Sequence, residues 1–198
     1  MGVIDMEKQI SKILQGNIAT TKKIYKSHID IIAKAAEAIV GALENGGKVI
    51  AFGNGGSAGD SQHLVAELVG RFKVNRSPLS AVALTTNTST LTAIANDYGY
   101  AETFRRQLMA LAKEEDIVIG ISTSGQAKNV LNAVREARKL GIKTIALTGK
   151  GGGPLAKLAD ISIIVPSDDT ARIQEAHILI IHAICQILDD KLSGPKDE

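Results

Sequence analysis

The sequence predicts an α/β fold: a five-stranded parallel sheet flanked by helices, with a helical N-terminal extension. Short apolar runs the length of buried strands recur at 49–52, 81–84, 116–121, 143–147 and 161–165. Stretches with apolar residues at helical spacing separate them. Strands that alternate with helices are joined by right-handed crossovers, which make the sheet parallel and cover both its faces.

Taken in order, residues 5–44 place Ile10, Ile13, Leu14 and Ile18, then Ile31, Ile32, Ala35, Ile39 and Leu43, at helical spacing. They read as two helices or one long bent one, covering either the sheet or a partner subunit. Asn45-Gly46-Gly47 closes this region. Val49–Phe52 is the first strand, and Gly53-Asn54-Gly55-Gly56 turns tightly enough to approach a ligand. Ser57 is the expected N-cap of the next helix, whose first amides suit an anion. Ala81–Leu84 is the second strand, 85–90 a polar turn, and Leu91–Ala95 starts a short helix stopping near Asn96-Asp97-Tyr98-Gly99. Residues 101–112 are helical, 116–121 form the third strand, and Ser122-Thr123-Ser124-Gly125 leads to a helix over 127–140. The fourth strand is 143–147, a short helix 155–158, the fifth strand 161–165, and the last helix 170–188. One domain is expected over 1–198, with helices over 1–46, the α/β core over 47–192 and a frayed tail over 193–198.

Bulk properties narrow the function. The chain has 198 residues, 44% apolar and 22% charged, enough for one sizeable core. A net charge of +2 gives no reason to expect a nucleic-acid or membrane partner, and the absence of tryptophan removes a usual stacking platform. The lone Cys185 forms no internal disulfide, which fits the cytoplasm. No apolar run reaches a membrane span, and the first seven residues lack the regions of a signal peptide.

Ligands of parallel sheets bind beyond the carboxyl ends of the strands, where residues 54–57, 87–90 and 122–124 should converge. Ser122, Thr123 and Ser124 can hold a phosphate with hydroxyls and amides, although plain helix capping explains them equally. Neither glycine turn is a Walker A loop or a dinucleotide fingerprint. His63 and Glu67 share a helix face about 6 Å apart along the axis, as an acid–base or metal pair or an ordinary surface pair. His63, Glu67, Gln174 and His182 offer donors that zinc accepts, but scattered residues alone make a weak metal signal.

The segments 53–57, 62–63 with 67–71, 95–99, 120–125, 147–149 and 172–175 with His177 and His182 resemble the sugar isomerase (SIS) domain family, in particular its phosphoheptose isomerases. The resemblance covers nearly the whole chain. It implies a SIS-type, flavodoxin-like three-layer sandwich assembled as a homotetramer with sites at subunit interfaces. It also implies conversion of sedoheptulose 7-phosphate to D-glycero-D-manno-heptose 7-phosphate, the first step of heptose synthesis for lipopolysaccharide or surface glycans. Carried over, Asn54, Gly55, Gly56, Ser57, Glu67, Asn96, Asp97 and Gln174 contact substrate, and Ser122, Thr123 and Ser124 hold its phosphate. His63, Glu67, Gln174 and His182 fall on the ligands of one zinc per subunit, and Glu67 with His182 on the acid–base pair. The pattern departs at Ala127, where related enzymes have serine, and at Ala171, where an aspartate is expected.

The resemblance also touches a non-catalytic tetramer that binds the bacterial replication initiator. That protein shares the 94–97 and 171–175 stretches but lacks the glutamate and histidine matching Glu67 and His182. Gln174 and His182 are eight residues apart on one helix, about 12 Å along its axis. Either a site therefore draws on more than one subunit, or these two do not hold the same ion together. The apolar length of this helix, Ile178–Ile181 with Ile184, Ile187 and Leu188, predicts an obligate interface.

Overall fold

The computed structural model describes residues 5–193. The first four residues and the expected frayed tail beyond Ser193 lie outside them. The N-terminal region forms two helices, α1 (Met6–Ser27) and α2 (Ile29–Glu44), parted at His28. The side chain of Asp5 caps α1 by accepting from the Lys8 amide at 3.2 Å.

Five strands follow: β1 (Val49–Gly53), β2 (Ala81–Ala83), β3 (Ile117–Ser122), β4 (Lys143–Thr148) and β5 (Ile161–Ile164). They pair in the order β2-β1-β3-β4-β5, all parallel. β1 and β3 are buried along their whole length, because both sheet faces are covered, and so they read as unbroken apolar runs. Alternation along β1 divides the core. Val49 and Ala51 face a layer formed by α2, α3 (Gly56–Val69) and α8 (Thr170–Leu192). Ile50 and Phe52 face α5 (Thr103–Leu111), α6 (Lys128–Lys139) and α7 (Gly153–Leu158).

Some elements differ from expectation. Ser57 is not an N-cap: α3 begins at Gly56 behind Gly55, and Ser57 is buried in the first turn. The glycine turn starts the helix earlier because Gly55, at φ +56, adopts a conformation that serine avoids. Helix α4 spans Thr88–Tyr98 rather than starting at Leu91, so Asn96 and Asp97 are helical. Its polar first turn is held by Asn87, which accepts from the Thr90 amide at 3.0 Å. Ser122 ends β3, and α6 starts six residues later at Lys128, so the Ser122–Ser124 hydroxyls belong to a separate turn.

Most of the apolar length of α8 is used inside the chain, with Leu179 left exposed. Ile180, Ile181, Ile184 and Leu188 are buried in the chain's own core, and Ile178 and Ile187 pack against it. The outward apolar stripe is instead on α1, where Ile10, Ile13, Leu14 and Ile18 are about half exposed. Among the described residues, no helix is long and apolar enough to cross a membrane.

Candidate active site

From β1 the chain crosses to β2 on one side, then returns to β3 on the other. The turns leaving β1 and β3 diverge there, which opens a crevice at the carboxyl ends of adjacent strands. Glycine builds the first turn of necessity. A Cβ on Gly53 would lie 2.7 Å from Ser57 and 2.9 Å from the Ile121 carbonyl. Asn54 does not reach freely into the crevice: it exchanges two 2.9 Å hydrogen bonds with the Asn129 amide and accepts one from the Tyr100 hydroxyl. Its side chain thus fixes the turn, and Tyr100 and Asn129, which no sequence spacing singled out, support it.

Helices α3 and α8 pack side by side on one sheet face, and their contact brings three predicted residues together. His63 Nε2 stands 3.1 Å from Glu67 Oε1 and 3.0 Å from His182 Nε2. The two imidazole rings are 5.0 Å apart, and the Phe72 ring lies 5.4 Å from that of His182. All three donor atoms fall within 4.8 Å of one another. Two nitrogens bound to a tetrahedral zinc stand about 3.3 Å apart, and two histidines with one carboxylate is a donor set that catalytic zinc sites use. The observed spacing and chemistry therefore fit a metal. They equally fit proton transfer between a carboxylate and an imidazole.

Gln174 enters from the N-terminal half of α8. Its amide lies against Gly56, where a Cβ would come within 2.2 Å of its nitrogen. It sits eight residues, about 12 Å, before His182 along α8. Asn96 donates to Asp97 at 2.8 Å, and Asp97 lines a cavity of about 670 Å³ with Asn87, Thr90 and Arg106. That lining includes none of His63, Glu67 and His182. The turn after β3 is pinned to β4's end, since Gly149 N donates to Thr123 O at 3.1 Å. Gly125 has φ +63, and a Cβ there would lie 2.0 Å from the Gly152 carbonyl oxygen. Ser124 Oγ accepts from the Gln126 amide at 3.3 Å, and no side chain caps α6 behind it.

Sequence reasoning missed Asp60, three residues before His63 and hence on the same helix face. Burial pushes its carboxyl up to about 6, against the opposing effect of His63. Its buried Oδ2 has no hydrogen-bond partner among the described residues. Its proton is therefore exchanged around pH 6, above the usual carboxylate range. An acidic residue at that spacing was the available signal.

The SIS domain family matches residues 15–149. The phosphoheptose isomerase of Aliarcobacter butzleri is 52% identical over 188 residues, covering 95% of this chain and all of that one. The phosphoheptose isomerase structure from Francisella tularensis is similar at a TM-score of 0.92 and 42% identity, over 95% of this chain and all of that one. The corresponding structure from Neisseria gonorrhoeae has a TM-score of 0.89 at 42% identity, over 93% and 99% of the two chains.

Proposed function

The chain belongs to the phosphoheptose isomerases of the SIS domain family, and on that premise we propose that Glu67 and His182 convert sedoheptulose 7-phosphate to D-glycero-D-manno-heptose 7-phosphate. The enzyme is an aldose–ketose isomerase acting on a phosphorylated sugar. One observation carries the assignment of roles: Glu67 and His182 both stand within hydrogen-bond distance of His63 Nε2.

The reaction moves a proton between C1 and C2 through an enediol, and needs a base at carbon and an acid at oxygen. Glu67 takes the carbon proton. Its carboxylate has two oxygens, and with Oε1 turned to His63, Oε2 is left for this transfer. His182 moves the proton between the two substrate oxygens. His63, Glu67 and His182 would hold zinc, which when bound polarises a carbonyl oxygen. Gln174, whose amide lies against Gly56, contacts substrate and joins the metal's ligands. The phosphate sits on the Ser122, Thr123 and Ser124 turn, next to the uncapped start of α6. The glycine turn, Ser57, Asn96 and Asp97 contact the sugar.

The chain works as one domain, within a cytoplasmic homotetramer. The α1 stripe supports assembly, and a lone buried cysteine with no disulfide partner fits a reducing compartment.

Turnover of sedoheptulose 7-phosphate by the purified protein tests this reading. Glu67→Gln and His182→Gln should each lose about 10²- to 10⁴-fold in kcat. Near wild-type turnover in either variant would remove that residue's role. Ser124→Ala should raise KM for the phosphorylated sugar with little change in folding, and an unchanged KM would move the phosphate elsewhere.

A further inference from the structure

We propose that the buried Arg76–Asp189 pair is a positioning device that locks α3 to α8, and so sets the spacing of His63, Glu67 and His182; the proposal rests on the catalytic reading above. Arg76 lies in the segment that follows α3 and Asp189 near the end of α8, and their side chains are 2% and 0% exposed.

The contacts run from one helix to the other through a single side chain. Arg76 Nε donates to Asp189 Oδ1 at 2.7 Å. Its two terminal nitrogens donate to the backbone carbonyls of Glu67 and Leu68, both at 3.0 Å. Those carbonyls belong to the last turn of α3, where the helix supplies them no partner. Asp189 Oδ2 accepts from the amides of Lys73 and Val74 at 2.8 and 3.1 Å. The guanidinium thus holds the backbone of Glu67 itself against α8.

Position on α8 makes this relevant to the site. Asp189 is seven residues after His182, close to two full turns, so the two share a helix face. Phe72, from the same segment as Arg76, sets its ring 5.4 Å from that of His182. Two apolar residues could fill this space as well, so a buried ion pair is weak evidence for a role in stability. What the guanidinium adds is a planar fork that meets two carbonyls and a carboxylate at fixed angles. Metal ligands depend on such outer contacts for their orientation.

Arg76→Lys tests this, because it keeps the charge and loses the fork. Zn²⁺ affinity of the full-length protein, measured by competition with a chelator, should fall roughly 10- to 100-fold. kcat on sedoheptulose 7-phosphate should fall by about as much, with KM held within about twofold. Asp189→Asn should do the same and serves if Arg76→Lys does not fold. Asp116→Asn is the control. Asp116 pairs with Lys48 at 2.6 Å at the opposite end of β1 and β3. This control should lower the melting temperature while leaving Zn²⁺ affinity and kcat unchanged.

A folded Arg76→Lys protein with wild-type Zn²⁺ affinity and kcat overturns the proposal. So does an equal loss in Asp116→Asn, since the effect would then be one of general stability. Failure of both test variants to fold also overturns it, because the pair would then serve the whole fold. If the wild type binds Zn²⁺ without isomerising the sugar, the catalytic reading fails and the affinity loss alone decides the clamp. If it isomerises without binding Zn²⁺, kcat decides. A wild type that does neither overturns both.

Discussion

His177 is fully buried, with Nε2 3.2 Å from the Thr148 carbonyl and no partner for Nδ1. Burial pushes it down to about 4, although the bond to Thr148 opposes the shift. Between the ordinary histidine value of about 6.5 and this value, the unfolded chain binds the extra proton, so stability rises with pH there and falls on acidification. The loss should reach about 2 kcal/mol by pH 5. Urea denaturation at pH 7 and pH 5 should show it, and His177→Leu should flatten it; an identical pH slope in the variant would assign the loss to other groups. Two glycines make a contrasting pair. Gly56→Ala meets only the flexible end of Gln174, so it should cost under about 1 kcal/mol while displacing that amide and impairing turnover. Gly125→Ala meets backbone at 2.0 Å in a positive-φ conformation and should cost about 3 kcal/mol or more. Thermal melts of the two proteins compare the costs directly.

At the scale of elements, α8 turns most of its apolar length inward, while α1, whose spacing allowed cover for the sheet or for a partner, presents an apolar stripe outward. α8 is rich in isoleucine because it lies between the sheet and its helical neighbours, with its apolar face used inside the chain. α1 joins the rest of the chain through Ile24, buried in the core, and through a polar latch: Arg172 pairs with Glu175 and donates to Ile13 O at 2.7 Å, and Asn17 donates to Glu175 at 2.7 Å. Its outward apolar stripe is therefore available for assembly. Leu14→Lys combined with Ile18→Lys should shift sedimentation toward species smaller than the proposed tetramer, with the helical circular dichroism retained. Unchanged sedimentation would mean that other elements hold the subunits together.

At the scale of the whole molecule, the topology decides which chain supplies which group. Glu67 and His182 meet on His63 within one chain, so one subunit builds that pair by itself. Mixing inactive Glu67→Gln and His182→Gln proteins under subunit exchange should therefore recover no activity. Recovered activity, with exchange confirmed by mass, would show that the working pair spans two subunits.

The sequence by itself determined what depends on near neighbours along the chain. The strands, the parallel sheet, the glycine turn and the i,i+4 pair of His63 and Glu67 all follow from local spacing and backbone preference. The family resemblance added His182 as a partner for that pair, but 119 residues of chain separate it from His63, and only the packing of α3 against α8 shows their 3.0 Å contact. The same packing seated the Gln174 amide against Gly56, used most of the apolar face of α8 internally, and joined Arg76 to Asp189, a pairing that no spacing suggests. The physical reason is that periodicity encodes which face of an element is buried, whereas what that face meets depends on crossovers and packing spread over the whole chain.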